Sequence, residues 1–134
     1  MGVTILQMME QLVMIFLLKS LILTVTFMGK SIGGISYDQG STISIDDSGY
    51  VYVAGYYMNT VDFDPGPSIY NLSTIGGGNP YILKLDSSGN FVWAKTFAAI
   101  GQPQSIHVDG NGFIYTTGFF KEQVILILLL MLQI

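Results

Sequence analysis

A twelve-residue stretch occurs twice in this chain. Asp46-Asp47-Ser48-Gly49-Tyr50-Val51-Tyr52-Val53-Ala54-Gly55-Tyr56-Tyr57 returns as Asp109-Gly110-Asn111-Gly112-Phe113-Ile114-Tyr115-Thr116-Thr117-Gly118-Phe119-Phe120, without a gap and at a constant offset of 63 residues. Self-similarity at a fixed offset means one supersecondary unit used again. Such a unit buries its apolar faces only by stacking on its neighbours. A chain of 134 residues holds barely two copies, fewer than a repeat array normally needs.

The residues between and around the copies carry the punctuation of antiparallel β structure. Ser41-Thr42-Ile43-Ser44-Ile45 alternates polar and apolar, the period of a half-buried strand. Asp46-Asp47-Ser48-Gly49 reads as a turn, in which Asp bonds the backbone ahead and Gly takes a positive φ. Tyr50 to Tyr56 then reads as a strand apolar on both faces, as expected for packing between two sheets. Tyr81-Ile82-Leu83-Lys84-Leu85, the turn Asp86-Ser87-Ser88-Gly89-Asn90, and Phe91 to Phe97 repeat this grammar as a third hairpin. Asp62-Phe63-Asp64-Pro65-Gly66-Pro67 and Gly76-Gly77-Gly78-Asn79-Pro80 read as loops or edges, because proline cannot donate within a sheet. About four short strands per 63 residues match one blade of a β-propeller, somewhat longer than common blades of about 40–50 residues.

Several of these segments, in order, resemble the bacterial β-propeller repeats known as SBBP repeats: TISIDDSGYVYVAGYY, VDFDPG, YILKLDSSGNFVWAKTF and QSIHVDGNGFIYTTGFF. The resemblance covers about residues 30–120. It departs at Tyr50, where the family usually has Asn before the strand, which changes the turn and not the assignment. It implies a secreted or surface-exposed bacterial protein whose propeller is a binding or spacing module. The implied partners are neighbouring blades and a protein or carbohydrate ligand. No catalytic set and no cofactor come with the resemblance.

Composition narrows the classes. Only 10% of residues are charged, against roughly 25% in an ordinary soluble domain, and the deficit lies in residues 1–28 and 122–134. A net charge of −4 with five Lys and Arg argues against a nucleic-acid footprint, which needs a basic patch. With no cysteine there is no disulfide framework, thiolate nucleophile or thiol metal site.

The apolar ends define segments 1–29 and 121–134 on either side of the repeat region at 30–120. Residues 12–28 suit a signal or anchor helix poorly. Lys19 interrupts the run, Glu10 stands where a positive region belongs, and no small-residue cleavage site follows. Val124 to Leu132 is nine apolar residues, too short to span a membrane. The repeat offers a different explanation. Asn59 to Pro65 should recur at 122–128, where Glu122-Gln123-Val124-Ile125-Leu126-Ile127-Leu128 stands. Codons for those residues read one base earlier permit GTGDFDP. The same shift on Val13 to Phe27 permits NDIFAKKLDSDGNF, a close relative of Asn79 to Phe91. Both ends then read as repeats translated out of frame.

No residue declares chemistry. Asp62 and Asp64 are the weak candidates for a hard cation, since residues two apart on a strand face one side. Calcium, however, wants six to eight oxygens, and a turn before Pro65-Gly66 explains both. Asp46, Asp47, Asp86 and Asp109 read as turn formers, and no spacing singles out a carboxylate dyad for glycoside hydrolysis. His107, the sole histidine, aligns with Ser44 and reads as an exposed strand residue. Trp93, Tyr50, Tyr52, Tyr56, Tyr57 and Tyr115 read as inter-sheet core, with a carbohydrate or peptide groove as the alternative. Asn71-Leu72-Ser73 fits the glycosylation acceptor pattern, relevant only in a eukaryotic secretory route.

The chain is thus expected to be all-β: an incomplete β-propeller of about one and a half blades with apolar, helix-compatible ends. The expected function is a non-enzymatic structural or binding repeat of a larger bacterial protein, extracellular or on the cell surface. A small membrane-anchored β protein and a fragment of a propeller lyase or glycosidase are the alternatives. Expressed alone, the chain should expose strand edges and an apolar blade face and should aggregate.

Overall fold

The computed structural model describes residues 29–74 and 77–121 and the backbone of 127–129. The expectations for residues 1–28 lie outside the described residues, as do those for most of the tail. Every described element is a strand, in the order β1 (Gly33–Gly34), β2 (Asp38–Ile45), β3 (Val51–Tyr57), β4 (Thr60–Asp62), β5 (Asn71–Ser73), β6 (Asn79–Leu85), β7 (Phe91–Thr96), β8 (Gly101–Val108), β9 (Ile114–Phe120) and β10 (Ile127–Leu129). The repeat offset carries β2 onto β8 and β3 onto β9, end to end.

The strands form three antiparallel sheets. The four-stranded one has the order β2-β3-β6-β7, and a second has the order β10-β9-β8. A four-stranded antiparallel meander followed by the opening strands of the next is the arrangement of a partial β-propeller. A small third sheet, β1-β4-β5, sits on the excursion between β3 and β6. The sequence showed only a loop there.

Each expected turn closes a hairpin, and the three are built alike. Gly49, Gly89 and Gly112 take φ of 85°, 80° and 84°, conformations that cost an L side chain roughly 1 kcal/mol or more. Their amides donate to the carbonyls of Asp46, Asp86 and Asp109 at 2.9–3.0 Å. Each Asp Oδ1 accepts the N–H groups two and four residues ahead: Ser48 and Tyr50, Ser88 and Asn90, Asn111 and Phe113.

The repeat also preserves an irregularity. Between β2 and β3 the register slips at Gly40/Thr42, and between β8 and β9 at Pro103/Ser105, positions related by the same offset. The bulge tolerates Pro103, which an unbroken ladder would not. It also fixes a glycine in each partner strand. A Cβ on Gly55 would lie 1.9 Å from the Gln39 carbonyl oxygen, and one on Gly118 2.2 Å from that of Gln102.

Two expectations need correction. Asn79 and Pro80 open β6 and do not belong to a loop, and β6 lies inside its sheet, between β3 and β7. Pro80 is tolerated because only its carbonyl is used: it accepts the Phe97 amide at 3.2 Å and the Thr96 hydroxyl at 3.1 Å. In the tail, 127–129 is a strand and not a helix. Ile127 pairs with Thr116 and Leu129 with Ile114, which puts β10 against β9 where β6 stands against β3.

Two cores follow from the layering. One face of the four-stranded sheet buries Val51, Tyr57, Leu83 and Leu85 with Val61 of the small sheet and Phe63 just beyond its strand β4. There Tyr57, Phe63 and Tyr81 meet ring against ring, with centroids 4.9–6.1 Å apart. The other face buries Tyr52, Ala54 and Ile82 against Ile106, Val108 and Ile114 of the following sheet. This second core is the contact between successive repeats.

Candidate functional site

β8 packs on β2 and β3, placing equivalent strands of successive repeats side by side. Gln102 Nε2 donates to Oε1 of Gln39, its counterpart 63 residues earlier, at 3.2 Å, and reaches Ser41 Oγ at 3.3 Å. Only the offset, which aligns the two glutamines, hinted at this pair.

Above the apolar part of the interface lies an aromatic and basic cluster. Register brings Ser44, Tyr52, Lys84 and Trp93 into one row across the four strands. Lys84 Nζ stands 4.1 Å from the ring centroid of Tyr50 and 5.1 Å from that of Tyr52. Lys95 Nζ stands 5.9 Å from the ring centroid of Trp93, and Tyr52 meets Trp93 edge to face at 6.2 Å. Each cation–π contact of this kind contributes about 0.5–2 kcal/mol.

Tyr52 is buried, and its hydroxyl donates to Asp46 Oδ2 at 3.0 Å. Burial, reinforced by the Asp46 carboxylate, pushes the phenol well above its ordinary pKa. Tyr115 makes the same bond to Asp109 Oδ2 at 3.1 Å, and that bond is the main reason its pKa rises. At the third turn Asn90 Nδ2 fills the role, donating to Asp86 Oδ2 at 3.0 Å. The departure at Tyr50 thus has a structural counterpart: without Asn at that position, a tyrosine two residues later caps the carboxylate.

The aromatic candidates divide. Tyr52 and Tyr57 are core, while Tyr50, Tyr56, Trp93 and Tyr115 are half-buried. Tyr56 stacks on exposed Tyr37 at 5.5 Å. His107 is exposed and lies beside Tyr115, with ring centroids 6.2 Å apart.

Asp62 and Asp64 organise their loop. Asp62 Oδ1 accepts the amides of Asp64 at 3.0 Å and Tyr70 at 2.8 Å, and Asp64 Oδ1 accepts that of Gly66 at 2.7 Å. Among the described residues no three His, Asp or Glu side chains come together to hold a metal ion. The buried carboxylate is Asp38, which accepts the Gly34 amide at 2.7 Å. Burial raises its pKa against the pull of the Gly34 and Met58 amides. Its counterpart is Gly101, so the second copy does not share this group.

The trailing face of each repeat decides what the surface can do. In the first copy this face carries Ser44, Tyr52, Ala54 and Tyr56, and in the second His107, Tyr115, Thr117 and Phe119. Ala54 is 0% exposed, whereas Thr117 is exposed and Phe119 is 66% exposed. All four positions are more open in the second copy. Among the described residues, none covers in the second copy the surface that β8 covers in the first.

No family model and no solved structure matches the chain. It is similar to an uncharacterized WD repeat-containing protein of Acanthamoeba polyphaga mimivirus, 28% identical over 113 residues, covering 70% of this chain and 8% of that protein. WD repeats are propeller blades, so this relative agrees with the β-propeller-like repeat that the sheets display. The chain spans about a twelfth of the relative's length.

Proposed function

We propose that this chain is a non-enzymatic structural or binding segment of a longer β-propeller protein, its role being to stack blades and present their loops. The observation that carries the reading is the unequal exposure of equivalent residues. Ala54 and Tyr52 are sealed by the next repeat, while Thr117 and Tyr115 await one. An apolar sheet face is costly to leave in water, at roughly 25 cal/mol per Å². A propeller removes that cost only by adding blades.

The finer parts of the proposal rest on the resemblance of 30–120 to SBBP repeats. They are a bacterial parent, an extracellular or cell-surface location, and a protein or carbohydrate ligand met alongside neighbouring blades. Segments 1–29 and 121–134 are proposed to be repeats read out of frame.

The encoding DNA and a longer expressed protein test this. Codons read one base back should yield the GTGDFDP and NDIFAKKLDSDGNF segments. A protein carrying the restored repeats should melt cooperatively with Thr117 and Phe119 protected. Codons that cannot produce those segments would end the out-of-frame reading. A restored protein with Phe119 still exposed would end the blade-stacking reading.

A further inference from the structure

Two of the five Lys and Arg residues in this chain of net charge −4 stand on one sheet face among aromatic rings. Register sets Tyr52, Lys84 and Trp93 side by side on β3, β6 and β7. Lys95 follows Trp93 two residues on and so faces the same side. Among the described residues neither ammonium group meets a carboxylate, and each lies against rings instead. Asp46, the acid of the adjoining turn, is already engaged: its Oδ2 accepts the Tyr52 hydroxyl and its Oδ1 the amides of Ser48 and Tyr50. The second copy brings only aliphatic side chains to the shared core, Ile106, Val108 and Ile114. An ammonium group pressed against them would lose its water and gain no acceptor. Lys95 is accordingly exposed, and Tyr50, Lys84 and Trp93 are half-buried. The row forms a wet margin of the repeat contact, with two positive charges left uncompensated.

We infer that this row binds an acidic saccharide, its carboxylate held by Lys84 and Lys95 and its ring laid on Trp93 and Tyr50. The inference rests on the reading of the chain as a binding segment and names the ligand class and the site. The two lysines flank Trp93, one across the sheet and one along the strand, so a ligand over the indole meets both. Cation–π contacts at open sites are weak, and a flexible ammonium group leaves a ring readily for a charge-assisted hydrogen bond to a carboxylate. The rings supply an apolar platform for the C–H face of a sugar, and the Tyr50 hydroxyl a polar edge. Asp47, exposed in the adjoining turn, offers an acceptor for sugar hydroxyls. The same carboxylate repels a phosphodiester chain, which also wants rings and lysines but carries no hydroxyl at every unit to repay it.

Trp93 is the only tryptophan, so its fluorescence reports on the site directly. Titrating the full chain with an oligogalacturonate should change that emission saturably, and the methyl ester of the same oligomer should not. Lys95→Gln, at an exposed position where folding is unaffected, should weaken the response roughly three- to tenfold, and Lys84→Gln/Lys95→Gln further. Lys121→Gln, the same charge change at an exposed residue beyond β9, should leave it unchanged. No response to the acid, an equal response to its ester, or equal weakening by Lys121→Gln overturns the proposal. A tighter response to oligothymidylate also overturns it, in favour of single-stranded nucleic acid. The chain has no cysteine, so Gln39→Cys/Gln102→Cys with a short bis-maleimide tests blade stacking separately. An internal cross-link without a Trp93 response leaves stacking standing and removes the saccharide site. A Trp93 response without the cross-link does the reverse.

Discussion

Gln39 and Gln102 hold the same place in successive repeats and are hydrogen-bonded to each other, Nε2 of the second to Oε1 of the first at 3.2 Å. A repeat that touches its own copy through equivalent side chains has a translation-like step built into its contact. Both glutamines are half-buried, so their bond contributes about as much as an ordinary neutral one. Gln39→Ala and Gln102→Ala should each cost about 0.5–1.5 kcal/mol in urea unfolding. The double variant should cost less than their sum by roughly 0.5–1 kcal/mol, because the two removals share one interaction. Strictly additive losses would mean that the pair is not coupled in solution.

Gly55 and Gly118 face the bulged carbonyls of Gln39 and Gln102 so closely that a methyl group overlaps them. Gly55→Ala and Gly118→Ala should each destabilise by more than about 2 kcal/mol, since backbone has to move and not a flexible side-chain tip. Gly110 has nothing within 4 Å of its would-be Cβ. Gly110→Ala should stay within about 0.5 kcal/mol of the parent in the same denaturation series.

Acid should unfold the chain partly through its turns. Hydrogen bonds from the Asn90 amide and side chain lead in holding Asp86 below the ordinary carboxylate pKa. At Asp109 desolvation is the largest single influence and pushes upward. It is outweighed by the Phe113 and Asn111 amides, the Tyr115 hydroxyl and the His107 charge. With folded pKa values below the unfolded value of about 3.9, the unfolded chain binds more protons in this range. The stabilisation is complete above about pH 4 and is lost as pH falls through the folded values. Melting temperature followed from neutral to acid pH should decline in that window, and less steeply in Asp86→Asn/Asp109→Asn.

Tyr52 and Tyr115 make the same bond to an aspartate but in different surroundings. Tyr52→Phe should cost about 1–2 kcal/mol, because it removes a charge-assisted bond beside a buried ring. Tyr115→Phe, at a half-exposed ring, should cost no more than about 0.5 kcal/mol, since water replaces the hydroxyl. Equal losses in thermal or urea unfolding would contradict the burial difference between the two copies.

The weak candidates Asp62 and Asp64 illustrate the limit of reading chemistry from spacing. Two carboxylates two residues apart suit a cation or a turn equally well on paper. Their Oδ1 atoms meet loop amides, because the chain must reverse between β4 and β5 and its N–H groups need acceptors. Lys84 carried no signal in the sequence. It acquires aromatic neighbours only when β6 is laid beside β3.

The amino-acid order by itself determined the local grammar: three Asp-x-x-Gly turns, the strands that flank them, and the 63-residue offset that equates β2 with β8 and β3 with β9. Each depends on contacts within a few residues, where side-chain type and φ preference suffice. Only the tertiary structure decided that β6 joins β3 across the long excursion, that Asn79 and Pro80 lie in that strand, and that the small sheet covers Tyr57 with Phe63. It alone decided that equivalent strand faces are buried in one copy and more open in the next. Burial depends on what arrives from elsewhere in the chain or from another chain, and two copies with the same pattern do not share the same neighbours.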